Sequence, residues 1–204
     1  MDAILKILLP VYLVLFFGLI FVWRSYKVWR KTGVNPFKFK KTDNAHGTIG
    51  KSMSFTWVLC VIIVGFHSIS DQVYGFLNPI SWLETSSITL VGLVLLTYSL
   101  VWVIFAQAQM GNAWRVGIDS ENPSNLVQTG IFARSRNPIF LGMLGLLLGL
   151  LLTLPNAISL LTFGLGVVLL QIQVRLEEEH LLKTHGSAYQ EYFQRVPRWF
   201  KFTA

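Results

Sequence analysis

Cysteine occurs once in this chain, at Cys60, so no disulfide can form within it, and that thiol sits inside an apolar run where a small packing residue is a better reading than a nucleophile. Histidine is nearly as scarce. His46, His67, His180 and His185 form no H-E-x-x-H arrangement and have one cysteine to join them, which leaves no metal-binding set. The GxGxxG and Walker patterns are absent, so nucleotide binding of the Rossmann or P-loop type has no support. Charge is scarcest of all for a chain of this size: 13% charged against 53% apolar residues, with a mean hydropathy of +0.54, excludes an ordinary water-soluble domain of 204 residues. The composition is that of an integral membrane protein.

Long apolar runs supply the architecture. The first, Ile4 to Trp23, is long enough to cross a hydrocarbon core of ~30 Å. No small-residue cleavage site precedes its basic flank Arg24-Ser-Tyr-Lys27, so it reads as a retained anchor. Further spans are expected at Phe55 to Ser70, Ser87 to Gln107, Ile139 to Leu154 and Ala157 to Val174, each bounded by polar residues or Pro/Gly. The expectation is an all-α, polytopic membrane protein of about five transmembrane helices, forming a single domain over residues 1–204. His67 and Asp71, one turn apart near the end of the second span, read as an interfacial polar pair.

Sixteen of the seventeen Lys and Arg, all but Lys6, fall in the segments Arg24 to Lys51, Gln107 to Pro138 and Gln173 to Ala204. Basic loops stay cytoplasmic, so the N-terminus is expected outside and the C-terminal segment in the cytosol. The net charge of +7 is then a sign of topology and of attraction to anionic lipid headgroups. No soluble basic domain exists to hold a nucleic acid.

The last two spans are separated only by Pro155-Asn156 and must form a tight antiparallel hairpin. Gly142, Gly145 and Gly149 on one arm, with Gly164 and Gly166 on the other, are expected to allow close helix approach, Gly145 and Gly149 in GxxxG spacing. Asn137-Pro138 reads as N-cap and first helical residue of the fourth span. That leaves Arg134 and Arg136 at a helix N-terminus, where the dipole already favours anions, so cations there suit an anionic ligand better than the helix. Glu177, Glu178 and Glu179 lie about one turn beyond the membrane exit on the continuing fifth helix and step by about 100° each, so they cannot share one face. Arg175 is placed to pair with Glu179 at i, i+4. The hairpin returns these acids to the rim that carries Arg134 and Arg136.

The order Leu126-Val127, Gly130-Ile131-Phe132, Arg136-Asn137-Pro138-Ile139-Phe140, a hairpin, Glu177-Glu178, Gly186-Ser-Ala-Tyr189-Gln-Glu-Tyr192 and Arg195-Val196-Pro197 resembles the isoprenylcysteine carboxyl methyltransferase family and its phospholipid methyltransferase relatives. The segment Met110 to Asp119 looks like the glycine/tryptophan stretch that precedes these blocks in bacterial members. The resemblance implies a methyltransferase that uses S-adenosylmethionine, embedded in a membrane such as a bacterial inner membrane, with the donor entering from the cytosol and a lipophilic small molecule or lipid from the bilayer. It also implies a division into variable anchor helices (residues 1–107) and a cofactor-binding and catalytic half (residues 108–204), with a C-terminal cytosolic amphipathic helix closing the site.

Residue by residue, the resemblance makes Gly130, Ile131, Phe132 and Asn137 the lining of the donor site, with Glu177 and Glu178 holding amino or ribose groups. Arg136 and Phe140 would flank the methyl-transfer position, Arg175 nearby, with Asn137 counted among the catalytic set. Tyr189 and Tyr192 are expected to dock the closing helix. Arg136 is suited to orient an acceptor carboxylate by a bidentate contact. The chain departs from the family in carrying Asn137 where histidine is usual, and asparagine cannot shuttle a proton near neutral pH. The family's Phe-Gly is His185-Gly186 here, with His185 and His180 read as helix-surface residues. Carboxylate, thiol and amine acceptors stay open, as does the oligomeric state. The rival readings are a membrane reductase of the sterol-reductase type and a non-catalytic scaffold or lipid-binding protein.

Overall fold

Each apolar run folds as a helix, and the described residues of the computed structural model, 2–36, 45–115 and 125–200, contain no strand beyond one isolated bridge between Pro79 and Asn156. The first helix, α1, runs unbroken over Asp2–Thr32, widening into π turns at Gly18–Trp23 and ending where Gly33 takes φ +69°. It is followed by α2 (Ala45–Ile69), the short α3 (Asp71–Gly75), α4 (Ser86–Met110), α5 (Pro138–Thr153), α6 (Ala157–His185) and α7 (Ser187–Arg195).

Four of these helices are long and apolar enough to cross a membrane: Asp2–Thr32, Gly47–Ile69, Ser86–Ala113 and Ala157–His185. The fifth expected span is shorter. With 16 residues, α5 is ~24 Å long against a hydrocarbon core of ~30 Å. In contrast α2 starts ten residues before the expected Phe55, because its first turns are too polar for hydropathy to mark them.

The glycines of α5 do approach another helix closely, but it is α4 and not the hairpin mate α6. A Cβ on Gly149 would sit 3.0 Å from the Leu96 nitrogen, and one on Gly142 would sit 3.0 Å from the Trp102 ring. The counterpart on α4 is Gly92, whose Cβ would meet the Thr153 nitrogen at 2.6 Å. Between apolar helices in a bilayer, van der Waals fit replaces the hydrophobic drive, so these bare backbones are what let α4 and α5 touch. Of the two glycines on α6, Gly166 faces Leu147 of α5, and Gly164 faces open space. The core between α1, α2, α5 and α6 is filled by Phe16, Ile20, Cys60, Ile63, Leu146, Leu147 and Leu170, all nearly inaccessible.

The hairpin turn is held at the far end of the bundle from the charged rim. Asn156 and Ser159 form a reciprocal capping box, the Ile80 N–H donates to the Pro155 carbonyl (2.8 Å), and Asn156 Nδ2 donates to the Tyr74 hydroxyl (3.4 Å). Asp71, at the same end, does not pair with His67. It takes Lys6 at 2.5 Å, which holds its carboxyl below the usual range, while His67 Nε2 lies 3.5 Å from Asp2. Lys6 therefore stands apart from the other described cations because it neutralises acids at this end.

Candidate active site

Asn137 stands at the N-cap of α5 with Pro138 in the first turn, as the local sequence dictates, but the cap itself is not made. The Asn137 side chain is committed elsewhere. Its Nδ2 donates to Glu178 Oε1 and to the Arg198 carbonyl, both at 3.2 Å, and its backbone N–H donates to Ser135 Oγ at 3.1 Å.

Those partners belong to one node. Arg136 Nε and Nη2 donate to Glu178 Oε1 at 3.1 and 2.9 Å. Arg198 Nε and Nη2 donate to Glu178 Oε2 at 3.1 and 2.7 Å. Arg136 Nη1 reaches the carbonyl oxygens of Phe193 (2.9 Å) and Val196, its guanidinium lies 4.1 Å from the centre of the Phe193 ring, and its backbone N–H donates to the Pro197 carbonyl (3.0 Å). The Arg136 and Glu178 side chains are 6% and 7% exposed, whereas Arg198 is 31% exposed. Forked charge-assisted bonds of this kind are strong, and breaking a buried pair strands a charge. Two guanidiniums on one carboxylate leave the node with a formal charge of +1, and Glu178 holds Arg198 above even its ordinary range.

The loop before α5 is fixed from both sides. Gly130 has φ +63°, and a Cβ there would lie 2.7 Å from Gln109 Cδ, whose Oε1 accepts the Ile131 N–H at 2.6 Å. Ile131 and Phe132 are buried against Ala106 of α4, and Trp102 Nε1 donates to the Pro138 carbonyl at 2.8 Å. From the other side α7 docks through Tyr189 and Tyr192, both inaccessible, the Tyr192 hydroxyl donating to the Phe132 carbonyl at 2.7 Å. Burial pushes the Tyr192 phenol up to about 12 and that of Tyr189 up as well. Arg195 Nη2 donates to Gln128 Oε1 at 2.9 Å.

The rim thus brings together Arg136, Asn137 and Glu178, as the hairpin argument anticipates. The grip expected from Arg136 on an acceptor carboxylate is made on Glu178 instead, and all three of its guanidinium nitrogens are engaged. Arg134 and Arg175 point outward and are exposed, Glu179 pairs with Lys183 (2.6 Å) where Arg175 was expected, and Phe140 is half-buried against the main core. Residues 116–119 of the expected glycine/tryptophan segment lie outside the described residues; Trp114 is buried. Arg198 is the member of the node that sequence reasoning missed. It follows Val196-Pro197 and lies 20 positions from Glu178, a spacing that no helical or motif periodicity marks.

Three polar groups near this node have no hydrogen-bond or ion-pair partner among the described residues: the Glu177 carboxylate, Arg198 Nη1 and the Tyr189 hydroxyl, the last buried within reach of the charges of Glu178, Arg136 and Glu177. Of the three, the Tyr189 hydroxyl is buried, where polar groups are normally satisfied, while Glu177 and Arg198 keep access to solvent. No curated protein matches the chain. Residues 87–188, from the start of α4 through the rim to the first residues of α7, match the model of the phospholipid methyltransferases, and with half its length so matched the chain belongs to that family.

Proposed function

We propose that the protein transfers a methyl group from S-adenosylmethionine to a lipophilic or membrane-partitioned acceptor, taking the donor at the rim formed by residues 130–137, Glu177, Glu178 and the tail after α7. The observation that carries this reading is the buried, unpartnered Tyr189 hydroxyl, with the accessible Glu177 carboxylate and Arg198 guanidinium edge, beside the Arg136–Glu178–Arg198 node in a chain of a methyltransferase family. The donor set fits: a ligand bearing an ammonium, a sulfonium, a carboxylate and an adenosine calls for an unpaired acid, a cation with a free edge, a phenol and apolar walls. Bound there, S-adenosylmethionine supplies an electrophilic methyl group that passes to an acceptor lone pair by in-line displacement, the sulfur keeping the electron pair of the broken C–S bond.

The work left to the protein is positioning and exclusion of water. Glu177 holds the donor's ammonium, while Glu178 is fully engaged and acts by fixing Arg136, Arg198 and Asn137. Gly130 permits the turn that aims the loop, Ile131 and Phe132 back its wall, and Phe140 and Arg175 keep the acceptor-side roles that the family pattern implies. Asn137, donating to Glu178, supplies no base, which favours an acceptor that carries its lone pair already, a carboxylate or a neutral amine. Glu178 falls ~32 Å along α6 from the hairpin turn, one hydrocarbon thickness, which suits chemistry at the bilayer edge. The basic ends of the helices support an orientation with this rim in the cytosol and the N-terminus outside.

Detergent-purified protein supplied with methyl-tritiated S-adenosylmethionine and a total membrane-lipid extract tests the reading. Solvent-extractable label that Glu177→Gln abolishes is the expected result; no label in any extract with folded wild type would refute it.

A further inference from the structure

The two guanidiniums on Glu178 are not equivalent. Arg136 is buried, and each of its nitrogens already donates to Glu178, Phe193 or Val196. Arg198 is one-third exposed, donates through Nε and Nη2 only, and leaves Nη1 without a partner among the described residues. Its side chain is held in one orientation by a carboxylate that is itself 7% exposed, and the node keeps a formal positive charge after pairing. An arginine so anchored has already given up rotamer freedom, so adding an anion to its open edge costs little further ordering. The tail that carries it is fixed on both sides, by Arg136 N–H on the Pro197 carbonyl and by Phe200 packed 5.9 Å from the Trp102 ring. Arg198 also lies ten residues beyond the stretch that matches the family model, so nothing in that match assigns it a role.

We propose that Arg198 is the oxyanion-binding residue of the rim, presenting Nη1 to a carboxylate or phosphate oxygen of a bound ligand. This inference rests on the methyltransferase reading for one of its two anion sources, the donor's carboxylate; the other is the phosphate of a lipid headgroup. Arg198→Ala and the charge-keeping Arg198→Lys, each checked for folding by its melting transition in detergent, are titrated beside wild type with S-adenosylmethionine, decarboxylated S-adenosylmethionine, dioctanoyl phosphatidic acid and dioctanoylglycerol. If the carboxylate is the anion, Arg198→Ala weakens S-adenosylmethionine about tenfold, the loss of one charge-assisted hydrogen bond. The decarboxylated analogue then binds both proteins alike, and Arg198→Lys recovers part of the loss. If the phosphate is the anion, the same contrast is seen between phosphatidic acid and dioctanoylglycerol, and it is read even if wild type binds no S-adenosylmethionine, an outcome that would defeat the methyltransferase reading alone. Equal weakening of the charged and uncharged member of both pairs, or no change in either, overturns the proposal.

Discussion

Glu178 is the residue through which α5, α6 and the C-terminal tail are joined, and its energetics follow from burial. A carboxylate 7% exposed that accepts from two guanidiniums and an amide is stable only while all of them stay. Arg136→Ala removes two of the donors to Oε1 and the donor to the Phe193 and Val196 carbonyls, and is expected to destabilise the protein by about 3–5 kcal/mol in a detergent unfolding titration. Arg136→Lys should recover a minority of that, since an ammonium cannot span Glu178 and the Phe193 and Val196 carbonyls together. Restoration to wild-type stability by lysine would show that charge alone matters there. The meeting of Arg136 with Glu178 was legible in the sequence because a two-residue turn leaves a hairpin no other way to place them. Arg198 was not legible, since its position depends on how a nonhelical tail crosses a loop, and no local pattern records that. The Asn137 cap failed for the same kind of reason: local preference favours an N-cap, and a nearby carboxylate offers its amide a stronger partner.

At the scale of helices, apolar runs located every long helix, and small residues located a close contact without naming its partner. The GxxxG spacing on α5 says that a backbone approaches; that α4 is the neighbour follows from Gly92, Ser99 and Leu96 lying opposite it. Gly92→Ala puts a methyl 2.6 Å from the Thr153 nitrogen and 2.9 Å from the Gly149 carbonyl, backbone atoms that cannot turn away, so α4 and α5 must separate. A loss of about 1–3 kcal/mol is expected by thermal or denaturant unfolding in detergent. Gly164→Ala meets nothing within 4 Å, and with the better helix propensity of alanine it should be neutral or stabilising by about 0.5–1 kcal/mol. Equal effects of the two substitutions would mean that the α4–α5 contact is not as close as described. The sequence located α5 to within one residue at each end, Ile139 to Leu154 against Pro138–Thr153, and at 16 residues it is shorter than the other apolar helices.

Over the whole molecule, charge is sorted to the two ends of the bundle. Lys6 with Asp2, Asp71 and His67 occupies the end of the hairpin turn, and Arg24, Lys51, Arg136, Lys183 and Arg198 the other. On a Cys60→Ser background, a cysteine at Glu84 should react with an impermeant maleimide in intact cells, and one at Lys183 only after permeabilisation; the reverse pattern would invert the orientation. In the orientation proposed above, the node faces the cytosol, where a soluble donor would arrive and a lipid headgroup would end. The most direct test of that reading is calorimetric titration of S-adenosylmethionine into the detergent-purified protein, beside Glu177→Gln and, as a control at the far end, Asp71→Asn. Saturable binding by wild type and Asp71→Asn, weakened tenfold or more by Glu177→Gln, is the result expected. No binding by folded wild type, or equal affinity in Glu177→Gln, would contradict the assignment of the rim as the donor site.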